Sequence, residues 1–287
     1  MNISLGIIAY NEDKNIVNLL NSIDKQEFGD FSIKEIILVL GGCTDDTYLK
    51  ARGYNGKYKE KLIIISSSIR RGKYHDINIF LKKASYSTLI LSSADIILHR
   101  SAIKNILRPF NDIKVGIVSS KITPSNKGDD ILSKIIRLQW DIHDKVSLKE
   151  PKFGEMIAFR NVVKKIEPTS TDEELIAREA LNQGYTSFYA RNAIVYNKGP
   201  KRLNEFIRQR RRIYCGHLEL KKKYGYSASS LKIKNLMPAL GSIIKEHPFC
   251  IVFFGAALES YSRFLGLADF IINKKKHHIW KIAESTK

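Results

Sequence analysis

The feature that most narrows the fold is a pair of short, nearly unbroken apolar runs near the start of the chain, residues 3–9 (ISLGIIA) and 35–40 (EIILVL). A strand with one face in water alternates apolar and polar residues. A continuous run instead predicts a strand covered on both faces, as in a parallel sheet flanked by helices. Between the two runs, Ile16, Leu19, Leu20 and Ile23 fall at helical spacing. Residues 61–66 predict a third strand and 88–91 a fourth, with Ile77, Phe80, Leu81 and Ala84 between them repeating the pattern of one buried helix face. Strand and helix alternating at this rhythm predict a right-handed, mostly parallel α/β sheet.

A chain of 287 residues with 44% hydrophobic content can bury one large core and a smaller appended region. Lys and Arg total 48 against 29 acids, a formal charge of +19, so the partner is expected to be anionic: nucleic acid, lipid head groups or phosphorylated substrates. Nucleic acid is the weakest of these, because no recognised binding motif is present and aromatics do not interleave with the basic runs. Cys43, Cys215 and Cys250 are scattered and form no C-x-x-C pair, which argues against a disulfide framework or a zinc site and fits a reducing cytosol. No basic leader with a small-residue cleavage site precedes Ile3, so the first strand is expected to open the mature chain.

The chemistry-bearing residues cluster where strands are predicted to end. Asp95 follows the fourth strand, and ligands of open α/β sheets bind beyond the carboxyl ends of strands, which makes it a candidate metal ligand. A turn residue is the plainer reading. Arg71 and Lys73 flank Gly72 at the start of a helix and suit an anion, or a solvated turn. The segment 169–175 (TSTDEEL) reads locally as a helix start, with Ser170 and Glu173, or Thr171 and Glu174, spaced as a capping box.

Taken together and in order, Ile8-Ala9-Tyr10-Asn11-Glu12, Gly42-Cys43-Thr44-Asp45-Asp46-Thr47, Arg71-Gly72-Lys73 with Asn78, and Ser93-Ala94-Asp95 resemble the family 2 glycosyltransferases. The resemblance covers roughly the first two thirds of the chain. It implies the GT-A nucleotide-diphospho-sugar fold, with a mostly parallel Rossmann-like sheet, and an inverting, metal-dependent transfer from a nucleotide-diphospho-sugar. Carried over, it places Ala9, Tyr10, Asn11, Glu12 and Ala94 around the nucleotide, and Arg71 and Lys73 near the base or diphosphate. Asp95 would hold Mg²⁺ or Mn²⁺. It also turns Asp172 into the candidate general base, with Glu173 as its substitute, and matches Arg212 to the family's diphosphate-binding Arg. The sequence departs from the family at Ser93, where an Asp-x-Asp motif would have its first acid, and at Leu40-Gly41, where many members carry acids that read the base. Ile213 stands where processive members have Trp, which implies transfer of a single sugar.

Trp140, on a helix predicted over 131–146, reads as core rather than as a sugar platform. Residues 1–200 are expected to form the catalytic domain and 201–287 a basic, amphipathic helical region. Within 248–272 the uninterrupted run 249–258 is too short to cross a bilayer, which needs roughly 20 residues. Glu259 and Arg263 are spaced to pair on one face. The remaining apolar face is expected either to pack on the domain or a second copy of the chain, or to lie in a membrane interface, helped by Arg208–Arg212, Lys221–Lys223 and Lys274-Lys275-Lys276. The expected acceptor is a lipid-linked or glycan hydroxyl or phosphate, and the expected location is the cytoplasmic face of an anionic membrane. The alternative is a basic membrane- or nucleic-acid-binding protein with a decayed site.

Overall fold

The parallel half of the sheet is built from β1 (Asn2–Ala9), β2 (Ser32–Gly41), β3 (Leu62–Ser67) and β4 (Thr88–Ser93), in the spatial order β3-β2-β1-β4. The structure is a computed structural model and describes residues 1–272 and 277–287. The continuous apolar runs are explained by two cores, one on each side of this sheet. Ile3, Leu5 and Ile7 of β1 and Ile36, Leu38 and Leu40 of β2 face one core, with α1 (Ile16–Asp24) packed on it. Ile37 and Val39 face the other, against Ile77, Phe80 and Leu81 of α3 (Lys73–Lys83). The Phe80 ring lies directly on Gly6, where a Cβ would come within 2.6 Å of it.

Beyond β4 the sheet becomes mixed. The two-residue turn Ala94-Asp95 leads into the short β5 (Ile96–Leu98), and β6 (Val115–Pro124), β7 (Met156–Arg160) and β8 (Thr186–Asn197) complete the order β4-β7-β6-β8-β5. β7 runs antiparallel to both β4 and β6, while β8 is parallel to β6. A helix between strands does not by itself fix their direction: α2 (Thr47–Arg52) joins the parallel β2 and β3, whereas β6 and β7 pair antiparallel although α5 (Ile131–Ser147) lies between them, with α4 (Ala102–Leu107) and α6 (Asp172–Asn182) in the other connections.

The helical region after the sheet comprises α7 (Leu203–Tyr224), α8 (Ile233–Glu246) and α9 (Phe249–Ile272). α5 joins it to the sheet through a third core of Ile135, Ile136, Leu138, Phe206, Ile243 and Ile251. Part of the basic run of α7 is paired within the protein, while Lys221 and Lys222 stay exposed. Arg210 makes two bonds to Glu259 of α9, Arg211 pairs with Asp269 of α9, and Lys223 pairs with Glu167. Glu259 and Asp269 lie on α9 opposite the arginines, and pairing removes both charges from the surface. Arg263 also bonds Glu259, as the spacing predicted. α9 itself is longer than the apolar run: its 24 residues are long and apolar enough to cross a membrane by length and composition. The run was broken at Glu259, whose charge is compensated within the protein. Lys274-Lys275-Lys276 lie outside the described residues.

Candidate active site

The carboxyl ends of β1, β2 and β4 open into one cavity of about 680 Å³, closed from the far side by α7 and by residues 277–287. Ala9, Tyr10, Glu12, Lys73, Ala94, Asp95, Asp172, Glu173 and Arg212 all line it. Two predicted residues do not. Asn11 has a left-handed backbone with φ of 52° and spends its side chain on the neighbouring turn, accepting from Thr44 N at 2.8 Å and donating to Thr44 Oγ1 at 3.1 Å. Arg71 is exposed beside His75, and it is Arg70 that lines the cavity, its guanidinium 3.8 Å from the centre of the Tyr10 ring. Gly72, at φ of 99°, is the pivot that turns Arg71 away and lets Lys73 start α3 inside the site.

Four carboxylates converge around Lys73. Its ammonium pairs with Glu173, and the charges of Glu173, Asp172 and Glu155 raise the lysine above its ordinary value against the opposing effect of burial. Burial alone would raise Glu173, but Lys73 holds it below the usual carboxylate range. Asp172 has no such ion pair among the described residues, although the charges of Lys73 and Arg212 act on it. It is 2% exposed, one of its oxygens has no hydrogen-bond partner among the described residues, and burial pushes it up to about 7. Burial also raises Asp95. Glu155 was not foreseen from the sequence. It sits at the start of β7 with a left-handed φ of 47°, its carbonyl accepts from Ser93 N at 2.8 Å, and burial, with Asp95 adding, pushes it up to about 7. It therefore brings an acid beside Ser93, the position at which the expected motif lacks one.

Neither capping box forms at the start of α6, since no side chain caps it. Glu173 is drawn to Lys73, while Glu174 accepts from Tyr226 at 2.8 Å and from Phe153 N at 3.3 Å. The turn is instead fastened to α7. Ser170 Oγ donates to Arg212 O and Arg212 Nη1 donates to Ser170 O, both at 3.3 Å, and Gly216 lets the helix approach so closely that a Cβ there would lie 2.2 Å from Ser170 Oγ. Burial lowers Arg212 to about 10, against the pull of Asp172 and Glu173. Asn78 is structural, exchanging two 2.8 Å bonds with the backbone of Ile166. Trp140 packs partly into the core, as read, and also lines the cavity.

The segment 277–287 was invisible as a site element in the sequence. Arg70 donates to the Trp280 carbonyl, the Arg212 guanidinium lies 3.9 Å from the centre of the Trp280 ring, and Lys287 pairs with Glu12. His278 packs edge-on to Tyr74.

The fold is that of GT-A enzymes. A mannosyltransferase from Pyrobaculum calidifontis, solved with GDP-Man and Mn²⁺, superposes with a TM-score of 0.65 at 18% identity, over 95% of this chain and 88% of that one. S. aureus TarS 1–349 in complex with UDP matches with a TM-score of 0.53 at 17% identity, over 99% and 95% of the two chains. In sequence, a poly-beta-1,6-N-acetyl-D-glucosamine synthase of Staphylococcus epidermidis is 27% identical over 139 residues, 48% of this chain. The chain spans about a third (32%) of the length of the curated relatives it matches. The model described as Glycosyl transferase family 2 matches residues 4–182. That match takes in more than half of the chain, including the strand ends that build the cavity and the turn that carries Asp172, and the protein belongs to glycosyl transferase family 2.

Proposed function

We propose that this glycosyltransferase moves one sugar, with inversion, from a nucleotide-diphospho-sugar to a hydroxyl or phosphate of a lipid-linked or glycan acceptor. The observation that carries the mechanism is Asp172: a buried carboxylate lining the cavity, pushed up to about 7 by burial, with one oxygen unbonded among the described residues. A base of that kind is matched to taking the proton of an acceptor hydroxyl at neutral pH. Glu173 is the poorer candidate, because Lys73 occupies it. In this reading the deprotonated oxygen attacks the anomeric carbon from the side opposite the diphosphate, and Arg212 and Arg70 face the negative charge that builds on the departing group.

A divalent cation fits the donor set. Hard carboxylate oxygens suit Mg²⁺ or Mn²⁺, and Mg²⁺ is commonly held by one or two carboxylates with substrate phosphates supplying the rest. Among the described residues no group of three His, Cys, Asp or Glu side chains is placed to hold a metal ion by itself. Asp95 and Glu155, close enough for their charges to interact, would hold it with the donor supplying the remaining oxygens. Such an ion, when bound, would neutralise the leaving diphosphate. The Mn²⁺ and nucleotides of the neighbouring structures support the same donor class for this chain, with the base left open.

We also take residues 1–200 as the catalytic unit and 201–287 as a docking region on the cytoplasmic face of an anionic membrane. Phe249, Phe253, Phe264 and Ile271 of α9 and Ile233 and Met237 of α8 are exposed, an apolar surface on a protein of formal charge +19. A second copy of the chain is the competing occupant. The comparisons lend no support to a nucleic-acid-binding or decayed-site reading.

The deciding experiment is a panel of nucleotide sugars with and without Mn²⁺, followed by NMR of the product's anomeric configuration. Turnover with inversion is expected. Retention, or no turnover with any donor, would sink the reading.

A further inference from the structure

The same cavity is lined by a second polar group that the transfer chemistry leaves unused. Lys152 lies in the segment between α5 and β7, and His217 projects from α7. His217 is 4% exposed, and neither ring nitrogen has a hydrogen-bond partner among the described residues. The Lys152 ammonium likewise makes no ion pair or hydrogen bond among the described residues.

The surrounding charge does not close. Arg210 and Arg263 both bind Glu259, at 2.8 Å and 2.7 Å, and Glu174 is taken by Tyr226 and the backbone of Phe153. Three cations thus face two carboxylates. Burial depresses Lys152 below its ordinary value against the pull of Glu174, and burial together with the charges of Lys152, Arg210 and Arg263 holds His217 neutral, against the smaller pull of Glu259. A desolvated cation and an orphaned imidazole are each costly, and one ligand relieves both: an oxyanion accepts from the ammonium and from an imidazole N–H. His143, on α5 and also lining the cavity, is kept neutral by the same burial and the same lysine.

We propose that Lys152 and His217 form a subsite for a phosphate-class anionic group on the sugar acceptor. That the anion belongs to the acceptor rests on the transfer reading above; the anion site itself does not. The acceptor presents its hydroxyl to Asp172 and its phosphate to Lys152 and His217, all within one cavity. Charge compensation raises the affinity of His217 for a second proton, so binding is accompanied by proton uptake.

The test uses the full chain and glycerol phosphate as the probe, with glycerol as the neutral arm and glycerate as the carboxylate arm. Calorimetry and the NMR signals of the His217 imidazole are followed together. Glycerol phosphate should shift those signals and raise the His217 pKa, while glycerol does neither and glycerate binds more weakly. Lys152→Met should weaken glycerol phosphate by about tenfold or more, the loss of a charge-assisted bond, with the affinity for UDP or GDP unchanged. His217→Gln, which keeps an N–H donor, should retain more affinity than His217→Leu. An imidazole indifferent to phosphate, a Lys152→Met variant of unchanged affinity, or glycerate binding as well as phosphate would each overturn the subsite. Failure of the parent to bind any nucleoside diphosphate, with the His217 response intact, would instead count against glycosyl transfer alone.

Discussion

Asp172 and Asp95 carry the sharpest predictions at the scale of the residue. Asp172→Asn keeps the size and one acceptor oxygen, so nucleotide affinity should be preserved while transfer at saturating donor falls roughly 10²–10⁴-fold. In the parent, transfer should decline as pH falls through about 7, because a protonated Asp172 accepts no proton. Stability moves the other way. The folded state raises this acid from 3.8 to about 7, so the unfolded chain gives up its proton first and stability is lost as pH rises across that window. The Asn variant should therefore melt higher than the parent at pH 8, by at most a few kcal/mol, since each tenfold change in proton affinity is worth about 1.4 kcal/mol, and the gap should close toward pH 4. Equal melting curves would show that the carboxylate is not desolvated in solution. For Asp95, calorimetry of nucleotide-sugar binding with and without Mn²⁺ is the check: Asp95→Ala should abolish the Mn²⁺-dependent part, leaving Glu155 alone.

Among the elements, α7 does the most to set the site, since one helix carries Arg212 into the cavity, His217 beside it and Gly216 against the turn of Asp172. Gly216→Ala must turn the Ser170 side chain out of its bond to Arg212 O or shift the helix or the 169–172 turn, because its Cβ would meet Ser170 Oγ at 2.2 Å and Thr171 Cγ2 at 3.0 Å. Overpacking of that kind costs about 1–3 kcal/mol and should lower kcat more than donor affinity, as read by denaturant melts and initial rates. Gly241→Ala in α8, with nothing within 4 Å, is the control and should be neutral or stabilising by up to about 1 kcal/mol. The same helix is pinned to α9 by the Arg210–Glu259 and Arg211–Asp269 pairs, so removing one partner strands a charge instead of baring a lipid-binding arginine.

Considered whole, the molecule has a covered mouth and an uncovered apolar flank. Residues 277–287 hold Arg70, Arg212 and Glu12, groups that a nucleotide-diphosphate would also contact. A chain ending at Ile272 should bind UDP or GDP more tightly by calorimetry, since the site no longer has to be vacated. Weaker binding would mean that the segment holds the donor rather than competing with it. On the flank, the protein should sediment with anionic vesicles, and Phe253→Asp with Phe264→Asp should abolish this. Vesicle binding that ignores both changes, or a parent that forms a stable dimer through this face, would remove the membrane from the account.

What the sequence determined by itself was set by local rules. The unbroken runs of β1 and β2 require cover on both faces, the helical spacing of Ile16 to Ile23 and Ile77 to Leu81 places the covering helices, and motifs in fixed order mark the strand ends where Tyr10, Glu12 and Asp95 gather. The tertiary structure decided what depends on contacts between residues far apart in the chain. Only packing shows that Lys73 satisfies Glu173 and leaves one Asp172 oxygen without a hydrogen-bond partner among the described residues, that Glu155 stands beside Ser93, and that α9 neutralises Arg210 and Arg211 of α7. Whether a charge is solvated, paired or stranded is a property of its surroundings after folding, and beyond a same-helix pair such as Glu259–Arg263 spacing along the chain carries no record of it.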